Sequence, residues 1–397
     1  MKEFKGNCLR YGGPVIGRIK RNPRLSPGSE AVLVLSEPYD SISLRLSLPF
    51  WPIKNLVGVL IDAEGLSQAH SSIPTVVSFS RDCLEQLDDG DVILIEPNGK
   101  VVVLYQINSD HNSICITKKC NAACVMCPQP PVNVDNDLDS ILKLIQLMDS
   151  RHTKCLAITG GEPTLKETHL VHVIKACRKS LPSTQLVLLT NGKKLSDLEL
   201  AKRIVSAANG LIRFEIPLYS DNDISHDAIM GVKGCFYQTI EGIHNLALLK
   251  QPLGLRIVLH KMTVERLPNY AEFTYRNLPF VRQVAFMGME TIGLAHTNLD
   301  KLWIEPVDYL EHLSRAVRHL SRRMMGVSIY NHQLCLLPPD LWQFARRSIS
   351  TWKEHYLEMC DECAAKKFCC GFFSTGTRNS DFVHPLSDHE IPSYFSW

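Results

Sequence analysis

Three cysteines within eight residues, Cys120, Cys124 and Cys127, constrain this chain more than any other feature. The C-x3-C-x2-C spacing brings three thiolates out of one loop. Three can hold three irons of a [4Fe-4S] cube and leave the fourth open, whereas electron carriers supply a fourth cysteine. An open iron lets a small molecule bind the metal and be reduced there. The spacing also admits a structural zinc site or buried free thiols. Zinc sites usually pair two C-x2-C knuckles, and no second pair lies near this loop.

Downstream, the apolar run Cys155 to Thr159 leads into Gly160-Gly161-Glu162-Pro163. It reads as a strand ending in a turn with an acid, its glycines permitting close backbone approach to a ligand. From Ser113 on, strand-like runs (114–117, 155–159, 185–190, 212–219, 255–260, 283–287) alternate with helical spacing, notably Leu138, Ile141, Leu142, Ile145 and Met148, and 195–208. That alternation predicts parallel βα units. Ligands of such sheets gather at the C-terminal strand ends. Asn191, Ser220 and Asp221 fall there, although such residues also serve as ordinary turn formers. In the fifth strand Arg256, His260 and Lys261 could reach a carboxylate, but only alternate positions point inward.

Residues 1–110 instead show short β-type runs (31–35, 75–79, 92–95, 101–105) broken by Pro, Gly and Asp, with Asn98-Gly99 predicting a hairpin turn. Near the other end Cys335, Cys360, Cys363 and Cys369 make C-x24-C-x2-C-x5-C, with Cys370 adjacent. Four thiolates close a second site completely, and zinc or [4Fe-4S] would fit it. Fourteen cysteines in a chain with neither a signal-peptide core nor an apolar run of the roughly eighteen residues a spanning helix needs point to reduced thiols and metal ligands in a cytoplasmic protein. Cys8, Cys83, Cys115, Cys155, Cys177 and Cys235 read as small buried hydrophobes. A net charge of +2 gives no electrostatic case for nucleic acid or an anionic membrane as partner.

The cysteine loop and the GGEP turn together resemble the radical S-adenosylmethionine (SAM) enzymes. The resemblance implies an α/β fold: a (β/α)6 partial barrel at 111–305, preceded by a β-rich domain at 1–110 and followed by a cysteine-rich extension at 306–397. It implies a [4Fe-4S] cluster on Cys120, Cys124 and Cys127 whose open iron is chelated by SAM, with one-electron cleavage to a 5′-deoxyadenosyl radical. Gly160, Gly161, Glu162 and Pro163 would hold the SAM amino group, Asn191 and Ser220 its methionyl and ribose parts. Gly293, in Ile292 to Ala295, would bracket adenine. Met126 stands where the family typically has an aromatic residue, offering adenine a softer thioether contact. His226-Asp227 to Gly231, then Gly234-Cys235-Phe236, matches a linker in which His226 is structural.

The C-terminal cysteines resemble SPASM or shorter "twitch" extensions of peptide-modifying members, which implies an auxiliary [4Fe-4S] cluster. The most detailed likeness is to the C-type radical SAM maturase of the His-Xaa-Ser system, over 120–131, 335–339, Ser348-Ile349, Trp352-Lys353 and 360–373. It implies a precursor peptide or protein as substrate, a sister radical SAM maturase, and a low-potential electron donor such as flavodoxin or ferredoxin. Cys369-Cys370-Gly371 departs from the pattern and leaves the fourth auxiliary ligand open between Cys369 and Cys370. A small-molecule enzyme resembling the molybdopterin-pathway cyclase is the nearer rival reading, and a non-catalytic metal scaffold the distant one.

Overall fold

The computed structural model describes residues 2–10, 13–21, 30–35, 56–61, 75–77, 81–210, 212–347 and 355–392. Ser78, Phe79, Ser348, Ile349, Trp352 and Lys353 lie outside the described residues, as does the side chain of Cys8. The chain divides into two compact units, one made of 1–114, 136–156 and 172–185, the other of 115–135, 157–171 and 186–397.

The first sheet comprises β1 (Glu3–Lys5), β2 (Asn7–Arg10), β3 (Val15–Lys20), β4 (Ala31–Leu35), β5 (Leu56–Ile61), β6 (Thr75–Val77), β7 (Val92–Ile95) and β8 (Lys100–Tyr105), in the order β1-β8-β7-β3-β4-β5-β6-β2. Its two end strands are consecutive in the chain, joined only by Gly6, so one extended segment links both ends of the sheet. A barrel-like closure of this kind removes free edges. Ile19, Val32, Leu60, Val76, Ile93 and Val101 fill its core. The Asn98-Gly99 turn is met: β7 and β8 pair antiparallel, and Gly99 takes φ 79°, a left-handed conformation that suits glycine. In the same unit the Arg18 guanidinium donates to the Leu147 carbonyl at 2.8 Å, satisfying one of the last acceptors of helix Leu138–Leu147.

The second sheet runs in simple chain order through β9 (Asn112–Cys115), β10 (Cys155–Thr159), β11 (Gln185–Leu189), β12 (Ile212–Pro217), β13 (Leu253–Leu259), β14 (Gln283–Gly288), β15 (Gly326–Tyr330) and β16 (Ala345–Arg346). From β11 to β16 each pair is parallel. Parallel strands covered by crossover helices are apolar along their length, as Leu186, Leu188, Phe214, Ile216, Leu255 and Ile257 are here. Six barrel strands were expected, and after them a short strand at Val327 to Tyr330. That short strand is β15, which joins the sheet as a seventh, and β16 adds an eighth. The first strand stops at Cys115, and Thr117 makes only an isolated bridge to Asp135. The helix expected over 195–208 begins instead as a 3-10 turn, Lys193–Ser196, and restarts at Leu198 because the Asp197 carboxylate accepts from the Glu199 and Leu200 N–H groups. Among the described residues no helix is long and apolar enough to cross a membrane.

Candidate metal and cofactor site

In the second unit, the loop that follows β9 carries Cys120, Cys124 and Cys127, and it is held from several sides. Ala123 and Val125 donate backbone N–H bonds to Met230 and Ile229 carbonyls, each at 3.0 Å. Leu294 N–H donates to the Cys127 carbonyl at 2.9 Å, and the Asn298 amide donates to the Val125 carbonyl at 2.8 Å. Lys193, buried, donates from Nζ to the Asn121 carbonyl at 2.9 Å, and Asn191 Nδ2 donates to Asn121 Oδ1 at 2.7 Å. The loop is thus shaped by protein contacts.

Its glycine partners explain themselves sterically. A Cβ on Gly161 would stand 2.3 Å from the Lys119 carbonyl oxygen, and one on Gly160 2.5 Å from that of Thr117. The two glycines therefore admit the backbone of the cysteine loop itself, where a ligand had been expected. Gly161 N–H donates to Thr117 O, and Glu162 N–H to Lys119 O, both at 2.8 Å. Gly231 (φ 66°) abuts the Ala123 carbonyl, and Gly293 (φ 59°) those of Cys127 and Pro128.

Glu162 is fully buried at the end of β10. Its Oε1 accepts from Thr164 N–H at 3.0 Å, from the Thr164 hydroxyl, and from Thr190 Oγ1 at 2.7 Å, while Oε2 accepts from Asn191 N–H at 2.7 Å. The carboxylate welds the ends of β10 and β11 together and keeps only residual acceptor capacity on Oε2. Pro163 opens the following 3-10 turn. Asn191 is engaged throughout: its Oδ1 accepts from Lys193 N–H at 3.1 Å and its carbonyl from Thr239 Oγ1 at 3.2 Å. Ser220 donates to Asp221 at 3.2 Å, and Asp221 takes both arms of Arg266 at 2.7 and 2.6 Å. Met126 is buried with Ile229, Ala295 and Leu302, beside Cys124, Tyr219 and Met289. His226 Nδ1 accepts from Tyr219 N–H at 3.2 Å, which is the structural role expected of it. His260 is wholly buried, its Nδ1 accepting from Met262 N–H at 3.3 Å. Asn121, Thr190 and Lys193 were not singled out in the sequence, because a lysine after Asn-Gly reads as turn surface until the fold buries it.

The three thiols lie near enough to influence one another electrostatically, with Cys124 Sγ against Met230 Sδ at 3.5 Å and Cys127 Sγ donating to the Gln129 carbonyl at 3.0 Å. Burial pushes Cys124 up to about 12, with Cys127 and Cys120 adding to the shift and Lys193 opposing it. Burial likewise raises Cys120 and Cys127. Three cysteines grouped in one loop, their thiols held protonated by burial, suit a metal group that replaces those protons.

The second cysteine group, in the same unit, lines one cavity of about 320 Å³, counted to its open mouth, walled by Cys335, Cys360, Cys363 and Cys369. Cys370 is not among its lining residues; it is buried and its thiol donates to the Gly371 carbonyl at 3.3 Å. The neighbouring Cys370 thiol, as a donor, lowers the Cys369 pKa, while burial lifts Cys335 to about 11. Gly371 (φ 67°) passes close under the His355 carbonyl. Four thiols around one space are a donor set that suits either zinc or a [4Fe-4S] cluster.

Residues 114–274 match the model of the Radical SAM superfamily. The chain is 28% identical to the GTP 3′,8-cyclase of Petrotoga mobilis over 51% of its own length and 68% of that protein's. In structure it is similar to Streptococcus suis SuiB bound to S-adenosylmethionine (TM-score 0.46, 15% identity, 63% of this chain and 56% of that one). It is also similar to anSMEcpe with bound AdoMet and the Kp18Cys peptide (TM-score 0.46, 14% identity, 55% and 63%). The chain thus spans less than two thirds of each of these solved proteins. Residues 114–274 constitute a radical SAM domain, a kind of domain that uses a [4Fe-4S] cluster and SAM.

Proposed function

We propose that this protein is a radical SAM maturase that modifies a polypeptide bearing His-Xaa-Ser motifs, with Cys120, Cys124 and Cys127 as ligands of the SAM-binding cluster and Cys335, Cys360, Cys363 and Cys369 as ligands of an auxiliary one. The observation that carries this reading is the second cavity: four cysteines line it together, so a cluster there has a protein ligand for every iron. Such a site serves structure or electron transfer and leaves substrate binding to the protein. The bound cofactors supply one-electron reductive cleavage of the SAM sulfonium and abstraction of a substrate hydrogen. The chain's own part is to hold the loop through Lys193, Asn191 and Asn298, bury Met126 beside it, and keep water from the strand ends. Gly160 to Pro163, Asn191, Ser220 and Gly293 are assigned to the SAM side of the site, with Glu162 and Asn191 acting mainly by fixing its frame.

The electron donor is a low-potential carrier, flavodoxin or ferredoxin, and the sister maturase is a partner. Residues 1–110 are assigned to docking, through a face of the sheet, since the linked ends of β1 and β2 disfavour strand addition. A second reading, a small-molecule cyclase, is favoured by the similarity to GTP 3′,8-cyclase. Anaerobic incubation of the reconstituted protein with SAM, reductant, sister enzyme and either a His-Xaa-Ser peptide or GTP separates the two. The peptide's mass should change only with all components present. Turnover of GTP with an unaltered peptide would replace the maturase by the cyclase.

A further inference from the structure

A cavity of about 620 Å³, counted to its open mouth, lies in the second unit at the C-terminal ends of β13, β14 and β15. One wall, Met289 and Leu302, belongs to the apolar group that packs on Met126 and Cys124. The opposite wall, Gln333 and Phe372, also lines the four-cysteine cavity. It therefore lies between the two cysteine sites. Its only lining cation, among the described residues, is Arg378, which pairs with Glu305 at 3.3 Å and Asp381 at 2.7 Å. A polyanion such as a nucleoside triphosphate would find little uncompensated positive charge here.

Several polar lining groups are already engaged. Gln333 Nε2 donates to the Gly371 carbonyl at 2.8 Å, Thr291 Oγ1 accepts from Thr377 N–H at 2.9 Å, and Ser380 donates to Glu305 at 2.6 Å. His332, 3% exposed, has no partner for Nε2. His226 and His260 also leave Nε2 unpartnered, but neither lines this cavity. The His332 ring rests edge-on to Tyr309 with centroids 5.9 Å apart, and Nδ1 meets the Gln333 carbonyl at 3.4 Å. A carbonyl only accepts, so the proton sits on Nδ1 and Nε2 presents a bare lone pair. Burial favours that neutral ring.

We propose that this cavity is the substrate pocket, and that it takes an uncharged polypeptide side chain bearing an O–H or N–H donor, which His332 Nε2 accepts. The inference rests on the maturase reading and deepens it. It orients a hydroxyl or imidazole group between the SAM loop and the auxiliary site, so that one carbon–hydrogen bond faces the loop. A buried acceptor discriminates against ligands that leave it unpaired.

The test is calorimetric binding to the anaerobic holoprotein with SAM. The probes are a peptide of two His-Ala-Ser repeats, its serine-to-alanine and histidine-to-phenylalanine analogues, and GTP. Wild type should prefer the parent peptide over one of the two analogues by roughly tenfold to a hundredfold. His332→Phe should erase that preference, and His332→Gln, which keeps an acceptor, should restore part of it. Asn379→Trp, at an exposed lining position, should weaken all peptides while leaving the melting curve intact, and decides the location should His332→Phe not fold. A preference that survives in His332→Phe overturns the acceptor role. Peptide binding unchanged by Asn379→Trp overturns the pocket. Binding of GTP with none of the peptides overturns the maturase reading itself.

Discussion

The two cysteine sites are built on opposite principles. The three-cysteine loop is fixed by backbone and amide hydrogen bonds from segments far away in the chain, at Lys193, Ile229, Met230, Leu294 and Asn298. In the four-cysteine cavity, Cys335 and Cys360 lie in the short 3-10 turns Leu334–Leu336 and Glu358–Glu362, while Cys363 and Cys369 cap the turns Glu358–Glu362 and Lys366–Phe368. Its ties run among neighbouring turns: the isolated bridge His355 to Phe372, the Leu386 N–H donated to Cys363 Sγ at 3.3 Å, the Tyr356 hydroxyl donated to the Cys369 carbonyl at 2.9 Å and Gln333 Nε2 donated to the Gly371 carbonyl at 2.8 Å. The first site is shaped before metal arrives. The second, with its cysteines on irregular backbone, is expected to depend more on a bound metal for its shape.

The largest expected effect contrasts them directly. Replacing Cys120, Cys124 and Cys127 together by Ala should abolish 5′-deoxyadenosine formation, leave about four irons per chain, and shift the melting midpoint little. Replacing Cys335, Cys360 and Cys363 together should also leave about four irons, but lower the midpoint markedly and expose the C-terminal segment to protease. Iron analysis, product assay and thermal melts read all three. Equal melting midpoints would remove the asymmetry, and stoichiometric zinc in the first variant would replace the auxiliary cluster by a zinc site.

A next, smaller effect tests whether the loop is held by the glycine turn. Gly161→Ala places a methyl 2.3 Å from the Lys119 carbonyl oxygen, and the nearest atoms are all backbone. The expected cost is about 3 kcal/mol, with iron lost from the three-cysteine site and kept by the other. Normal loading of both would mean that the loop tolerates displacement.

These contacts mark where the sequence was legible. Cys120 to Cys127 and Gly160 to Pro163 are local patterns, and local patterns survive in a one-dimensional string. The order of β9 to β14 followed from apolar periodicity because parallel strands in chain order need no long-range pairing information. What the glycines touch, and that Lys193 is buried against Asn121, depends on tertiary approach, for which residue type carries no signal. The same holds for β16, two residues long, and for His332, which reads as a loop histidine until Tyr309 and Phe372 close around it. The linked ends of the first sheet were hidden for a related reason: residues 3–10 were not among the β-type runs, and only the pairing of β1 with β8 and of β2 with β6 reveals that this segment joins the sheet's two ends.

The smallest effect compares one histidine from each region through pH. Burial lowers His226, on the segment that braces the loop, and His332, in the cavity wall, to about 4. In the unfolded chain both titrate near 6.5. As pH falls below that value the unfolded state takes up protons first, so folding stability declines from about pH 6.5 and the loss is complete near pH 4. At pH 5 each ring contributes a loss of roughly 2 kcal/mol. His226→Asn keeps an acceptor near Tyr219 N–H, at present 3.2 Å from Nδ1, and removes the titration. The difference in melting midpoint between pH 7 and pH 5 should therefore shrink by a few degrees relative to wild type. His332→Gln should shrink it equally if the cavity is as closed to water as the brace beside the loop, and by less if water enters and restores the wall histidine toward its ordinary pKa. An unchanged acid slope in His226→Asn would show that His226 can protonate without leaving the fold, and the rigidity assigned to the loop's support would fall with it.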